Sequence, residues 1–493
     1  MERYESFGEC VKRCLAEADL SASEAARLVG FKSRNSIFRI LSGDTSWEIN
    51  LRFLSALHDA LGKAWPDERW YALQEAVSVE RLGPERYRAN RAFQRVLHEP
   101  EGDIPDYRVS SADENGEVQN RSLADVLNEL IQAERVEIII TGCCENGLSR
   151  LLRDICDAAG TQGKLFVRHY IDTEENRVAQ NILGILPLVS KHWYNARLVD
   201  PGSCPPEMMA LYRVHALHIH QWDGEGRQYG QSLIRYEKES FSSYSLVAGP
   251  CPPVLVLDRW RFHLELLKPM PNLSSGAEAF VEYTAQYGQL EENCTIMSIK
   301  PDVHFNCIPP TVLAASIMEG FEQAGIAGGE ELKSLIEVLW QIHEMRYINT
   351  TTKRKPTHLV YSLPAMQRFM ETGVLTDQFF IQRAYTVEER REIIRVLLDA
   401  MRTQPYFNVH FLREDSPSLR YEISYYDGKG VMLMDAFTGY ELNVDHSEAL
   451  ITLPAFMESF RRYFMDELLM NYVMSRADSM RELERLLVMK VQE

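Results

Sequence analysis

The stretch from Leu20 to Gly43, LSASEAARLVGFKSRNSIFRILSG, constrains this 493-residue chain more than any other. Ser21-x-x-Glu24 is a capping-box pattern, in which each residue's side chain satisfies the other's backbone N–H, so a short helix through Val29 is predicted. Gly30 stops that helix where a left-handed residue is wanted. Ser33 or Arg34 begins the next, with Ile37, Ile40 and Leu41 turned inward, and Gly43 ends it. Two further helices are expected to flank the pair. One runs from about Tyr4 to Ala18 with Phe7, Cys10, Val11, Cys14 and Leu15 on one face. The other opens at Thr45-x-x-Glu48, a second capping box, and carries Trp47, Leu51, Leu54, Leu57 and Leu61 to close the core.

Charge sharpens this reading. The chain carries a formal net charge of −18, yet residues 1–100 hold 15 basic and 15 acidic side chains, so the deficit lies entirely beyond them. Between Asp19 and Asp44 the only acid is Glu24, against Arg27, Lys32, Arg34 and Arg39. Binding to phosphate follows local field rather than total charge, and an acidic remainder discourages non-specific adhesion to nucleic acid. Arg81, Arg86, Arg88, Arg91 and Arg95 form a second basic run, suited either to phosphate or to acidic partners in the rest of the chain.

The spacing resembles the helix-turn-helix domain of the XRE/Cro family of DNA-binding regulators. Ala26, Gly30, Ile37 or Ile40, and Gly43 stand where that family has a small residue, the turn glycine, a recognition-helix isoleucine and a closing glycine. The stretch from Gly30 to Gly43 is about one residue longer than the family pattern. The resemblance implies that the second helix enters the major groove of double-stranded DNA and that the protein is a homodimer, since one such helix reads only a half-site. The implied DNA-binding residues are Lys32, Ser33, Arg34, Asn35, Ser36 and Arg39. Arg34 suits guanine O6/N7 and Asn35 adenine N6/N7. Ser36 suits base or phosphate, and Lys32 and Arg39 suit phosphate. The alternative is a small helical bundle with a solvated basic face.

Beyond this bundle the chain is expected to be multidomain, an all-α helix-turn-helix N-terminal domain followed by an α/β and then an α+β C-terminal region. The helical domain is placed at 1–97. The stretch 98–121, rich in Pro, Gly, Asp and Glu, is read as a linker. An α/β sensor domain is placed at 122–270, with a strand at Val136–Thr141, a helix at Gly147–Ala159, a strand at Leu165–Ile171 and a helix at Glu174–Val189. Strands are expected to follow at Ala196–Val199, Ala210–His220, Ser232–Tyr236 and Val254–Leu257. An α+β sensor or dimerisation domain is placed at 271–493, with helices at Pro310–Ala324, Glu331–Tyr347, Thr386–Thr403 and Pro454–Val473 and a hairpin at Asp427-Gly428. No internal repeat is visible.

Ligands of open α/β sheets gather at carboxyl strand ends. Cys143, Glu145, Asn146 and Asp258 are therefore the candidate ligand-binding residues, although 141–146 is neither a Walker A sequence nor GxGxxG. His218 and His220 share a strand face, as an HxH metal pair does, but no third ligand is identifiable. The pair gives the middle region a faint resemblance to phospholipase-D-like enzymes, whose His-x-Lys is absent. No metal and no cofactor are expected. The nine cysteines are odd in number and contain no CxxC pair, and Cys10 and Cys14 are read as core residues. No apolar run approaches the ~20 residues of a spanning helix, and MERYESFGEC has no signal pattern. No membrane association and a cytoplasmic location are expected. The favoured reading is a DNA-binding transcriptional regulator with a small-molecule or protein effector. The alternative is a metal- or phosphate-dependent enzyme, a degenerate phospholipase-D-like one, targeted by its helical domain.

Overall fold

The computed structural model describes residues 5–31, 34–98, 104, 106–112, 118–142, 146–174, 177–189, 191–199, 202, 204, 206–238, 244–249, 267–269, 285, 287–323, 330–352, 354–375, 383–413, 421–435 and 448–490. Two compact units comprise Met1–Arg91 and Ala92–Glu493.

The first unit is helical throughout its described residues: α1 (Phe7–Glu17), α2 (Ala22–Leu28), α3 (Arg34–Ser42), α4 (Trp47–Leu61), α5 (Asp67–Leu82) and the start of α6 (Pro84–His98). Phe7, Cys10, Val11, Cys14 and Leu15 of α1 pack against Ile37, Ile40 and Leu41 of α3, with Phe53, Leu54 and Leu57 of α4 and Trp70 and Leu73 of α5 completing the core. Cys10 and Cys14 are core residues, as their spacing indicated. One expectation fails at α4. Its N-cap is Ser46, not Thr45. The Thr45 hydroxyl donates instead to Asn50 Oδ1 at 2.7 Å, and Asn50 donates to Glu80 at 2.7 Å. Glu80 also accepts from the N–H of Phe7, so a carboxylate of α5 caps α1 from outside. The buried stripe of α4 therefore runs through Asn50, Phe53, Leu54 and Leu57, and Leu51 points out.

The second unit contains two mixed sheets. In the first, β3 (Arg135–Thr141), β4 (Leu165–Asp172) and β5 (Tyr194–Val199) are parallel, joined through α8 (Asn146–Thr161) and the pair α9 (Val178–Gly184) and α10 (Leu186–Val189). The chain then returns to the free edge of β3, where β6 (Ala216–Trp222), β7 (Gln228–Lys238) and β8 (Tyr244–Gly249) add antiparallel. In the second, β10 (Ile296–Lys300), β11 (Thr357–Tyr361) and β12 (Phe407–Phe411) are parallel. They are joined through α12 (Pro310–Gln323) and α13 (Glu330–Thr351), then α14 (Leu363–Thr372) and α15 (Val387–Thr403). Again the chain returns to β10, and β13 (Tyr421–Tyr426), β14 (Gly430–Asp435) and β15 (Glu448–Ile451) add antiparallel.

The orders β5-β4-β3-β6-β7-β8 and β12-β11-β10-β13-β14-β15 are the same topology written twice. The extensions fall at the same place but with opposite sense, parallel in the first sheet and antiparallel in the second. β1 (Arg108–Ala112) precedes the first set and joins β8, while β9 (Leu267–Pro269) precedes the second and joins β15. The second half is thus α/β like the first rather than α+β, and a repeat of fold exists where no repeat of sequence is seen. Residues 108–112 and 118–121 of the stretch read as a linker lie in strands: β1 pairs with β2 (Val118–Ser122) in the first sheet, and α7 (Leu123–Leu130) follows. Their polar residues, RVSSA and VQNRS, suit a sheet margin and disguise them in sequence. The strand expected over 210–220 is instead α11 (Pro206–Tyr212) followed by β6, and the strand expected at 254–257 lies outside the described residues.

Helix α16, beginning at Pro454 and ending at Asn471 with a π-helical turn over Tyr463–Leu468, packs on α9 of the first half and on β13 of the second. Its Phe456, Phe460 and Tyr463 enclose Phe93 of α6, with centroids 5.1–5.6 Å apart. On the other side of the second sheet, α12, α14, α15 and α17 (Arg476–Leu487) share one core with β11 and β12.

Both central strands bury charge. Glu137 of β3 pairs with Arg168 of β4. Lys300 at the end of β10 pairs with Glu422 of β13 at 3.0 Å, both at least nine-tenths buried. Removing one member of such a pair strands the other in a low-dielectric interior, whereas removing both does not. Lys300→Met is therefore expected to lower unfolding stability by about 3–5 kcal/mol. Lys300→Met with Glu422→Leu should recover most of that in urea titration of the full chain.

Candidate nucleic-acid interface

Helices α2 and α3 are set by their ends. Ser21 Oγ accepts from the N–H of Glu24, and Glu24 accepts from the N–H of Ser21 at 2.9 Å, the reciprocal capping box. The Ser21 hydroxyl, which donates to the same carboxylate at 2.7 Å, and then the Ser21 N–H favour the ionised form and hold Glu24 below the usual range. Gly30 sits at φ +73° and Gly43 at φ +78°, the left-handed region that ends each helix cheaply only for glycine. Ala25 and Ala26 are buried where α2 packs against the bundle.

The orientation of α3 depends on a residue whose role the sequence does not advertise. Gly8 of α1 lies so close to the last turn of α3 that a Cβ there would stand 2.5 Å from the carbonyl oxygen of Ile40 and 2.8 Å from that of Leu41. Backbone cannot move aside as a flexible side-chain tip can. The only sequence signal is a glycine inside a helical pattern, which costs about 1 kcal/mol against alanine unless packing requires it.

With Ile37, Ile40 and Leu41 turned inward, α3 presents Asn35, Phe38, Arg39 and Ser42 outward, at the i, i+3, i+4, i+7 spacing of one face. Arg39 is exposed and donates through Nη2 to the carbonyl of Asp44 at 3.1 Å. Ser42 donates to Asp44 Oδ2 at 2.7 Å. Ser36 is half-buried beside this face. Arg34 is the first residue of α3, while Lys32 and Ser33 lie outside the described residues. Phe38, 55% exposed, was not among the expected contacts. A large aromatic standing free between polar neighbours is the informative exception on such a face. Arg81, Arg86, Arg88 and Arg91 are half-buried and Arg95 is exposed, so that run is not a uniformly solvated basic face.

Of the expected ligand-binding residues, one is among the described residues. Asn146 is half-buried at the start of α8, and Cys143, Glu145 and Asp258 lie outside the described residues. At the same edge of the sheet, Asp172 at the end of β4 accepts from Arg213 Nε at 2.9 Å, and Glu174 from Arg213 Nη2 at 2.8 Å. This cluster was not foreseen, because its members are scattered over 172–213 with no shared spacing. His218 and His220 do share a face of β6, but both are buried. His218 Nε2 lies 3.4 Å from Thr141 Oγ1, and His220 Nδ1 lies 3.0 Å from Gln228 Nε2. Among the described residues no group of three or more His, Cys, Asp and Glu could hold a metal ion. None of the described helices is long and apolar enough to cross a membrane.

No family model matches the chain, and no curated protein matches it. Among solved structures, phosphatidylserine synthase from Haemophilus influenzae Rd KW20 aligns over 81% of this chain and 97% of its own, at 11% identity and a TM-score of 0.21. That score is too low to define a shared fold.

Two outcomes follow from this geometry. Gly8→Ala should destabilise the helical unit by about 1–3 kcal/mol, the range for overpacking a tight contact, as read by hydrogen exchange of α1 and α3 amides. Burial pushes His169 and His218 down to about 4, against about 6.5 in the unfolded chain. The unfolded state therefore takes up protons first, and the stability these groups confer is present above about pH 6.5 and lost as pH falls towards 4. The urea midpoint should drop between pH 7 and pH 5, and drop less steeply in a His169→Phe, His218→Phe variant.

Proposed function

We propose that this protein is a sequence-specific DNA-binding regulator that reads the major groove with α3. The observation that carries the reading is the outward face of that helix: Asn35, Phe38, Arg39 and Ser42 on one side, with the apolar side buried against α1. It is short, ends in left-handed glycine, and follows α2 across a glycine turn. A helix so presented fits the major groove, and its N-terminal residues meet base edges.

In this reading Asn35 pairs with adenine N6/N7 and Arg34 with guanine O6/N7. Phe38 lies over a thymine methyl, the apolar feature of that groove. Arg39 and Lys32 contact phosphate and add a salt-dependent, sequence-independent term. A homodimer places two such helices about one helical turn, roughly 34 Å, apart on a two-fold site. The acidic second unit receives the signal, from a small molecule or a protein, and keeps the rest of the molecule off the phosphate backbone.

The test begins with selection of bound sequences from a random double-stranded pool, followed by gel-shift titration of the selected site against scrambled DNA. Arg34→Ala with Asn35→Ala should reduce the preference by more than about tenfold, one to two bidentate base contacts being lost at about 1–3 kcal/mol each. Phe38→Ala should lower affinity at thymine-containing positions and leave the helical unit as stable as before. Undiminished site preference in the double variant, or no enrichment of any sequence, would sink the proposal.

A further inference from the structure

Glu80 stands in the last turn of α5, and its carboxylate serves two other helices. Oε1 accepts from the N–H of Phe7, the first residue of α1, at 3.0 Å. Oε2 accepts from Asn50 Nδ2 at 2.7 Å. Asn50 lies in the first turn of α4 and is 1% exposed, so both ends of its amide need protein partners. A carboxylate only accepts, which turns the NH2 towards Glu80 and the amide oxygen towards Thr45. The Thr45 hydroxyl donates to that oxygen at 2.7 Å. The direction of the relay is thereby fixed, from Thr45 through Asn50 to Glu80.

The relay ends on the turn that follows α3. The peptide bond between Asp44 and Thr45 carries the carbonyl to which Arg39 Nη2 donates at 3.1 Å. The same turn is tied back to the helix by the N–H of Asp44, which donates to the carbonyl of Arg39 at 2.9 Å. Ser42 Oγ donates to Asp44 Oδ2 at 2.7 Å beside it. Holding Thr45 therefore sets the plane of one peptide, and that peptide's carbonyl sets an exposed guanidinium. An arginine left to itself samples many rotamers and must surrender them when it binds.

We propose that Thr45, Asn50 and Glu80 are positioning residues for DNA binding, which act through Arg39 by presetting its guanidinium for a backbone phosphate. The proposal rests on the reading of α3 given above and extends its determinants to α4 and α5. Phosphate contacts carry no sequence information directly, so the relay governs how tightly DNA is held and not which sequence is chosen. A relay that merely held α1, α4 and α5 together would lower stability and leave the contribution of Arg39 untouched.

Thr45→Val removes the hydroxyl and leaves the bonds of Glu80 to Asn50 and Phe7 in place. In gel-shift titrations of the full chain it should weaken binding to the selected site and to scrambled DNA alike, by about fivefold, the worth of one immobilised side chain. Thr45→Ser, which keeps the hydroxyl, should bind as the native chain does. In an Arg39→Ala background Thr45→Val should add no further loss, because both act through one guanidinium. At the far end of the relay, Asn50→Asp should repeat the loss. Adding Glu80→Gln, which restores donor and acceptor with their places exchanged, should recover it, and this arm decides if Thr45→Val unfolds. Hydrogen exchange of the full chain reads the turn without DNA: the amides of Gly43 and Asp44 should exchange about fivefold faster in Thr45→Val and at the native rate in Thr45→Ser. Native exchange rates in Thr45→Val, or an equal further loss in the Arg39→Ala background, would overturn the relay and leave the reading of α3 standing. Absence of DNA binding by the native chain is instead the failure of that reading, and it removes the phosphate contact with it.

Discussion

A strand with a neighbour on each edge and a packed layer on each face has no water to turn to. β3 and β10 are both such strands, and the second unit is assembled around them. Each takes a parallel partner on one side and an antiparallel partner on the other. Each polar group on it must therefore find a protein partner or remain unsatisfied at a cost of about 1–3 kcal/mol. Glu137 meets Arg168, Thr141 donates to the carbonyl of Val214, Ser298 meets Ser424 at 2.8 Å, and Lys300 meets Glu422. Three of these partners lie on adjacent strands, so the pairs also fix which strands are neighbours and in what register.

The parts of the fold legible in sequence are those whose physics is local. The capping boxes at Ser21 and Thr386 form as their spacing indicates, because both partners lie within one turn. Thr45-x-x-Glu48 has the same spacing and fails, because Asn50, itself held by Glu80, offers its hydroxyl a better-buried partner than the helix end. That competition spans more than thirty residues and leaves no local trace. The three parallel strands of the second half are five residues each, buried on both faces, and so show no alternation. A period-two search finds instead the hairpin of β13 and β14, whose turn residues announce it. The duplicated topology is hidden for the same reason. What the halves share is the order of strand addition, and neither β6 nor β13 carries the other's side chains.

The α3 face was partly legible. Helix, turn glycine and inward isoleucines follow from periodicity, and the polar residues Asn35 and Arg39 point outward once the inward set is fixed. Phe38 was hidden because sequence reading assigns an aromatic to the core by default. Only the packing of Ile37, Ile40 and Leu41 leaves it no inward position. Gly8 was equally silent: a close approach between helices is a property of two segments some thirty residues apart, and glycine within a helix advertises flexibility before proximity.

The duplication also bears on the paired histidines. Opposite β3, β6 sets His220 against Glu137 and His218 against Ile139. Opposite β10, β13 sets Tyr425 against Met297 and Ile423 against Ile299. The same strand in the same topology thus closes its sheet with Ile and Tyr in one half and with His in the other. Burial pushes the pKa of His218 and His220 down, and each ring lies within hydrogen-bond reach of a side chain of its own half, Thr141 or Gln228. In the folded chain the HxH pair stands in the middle of the first sheet, with both side chains at least nine-tenths buried.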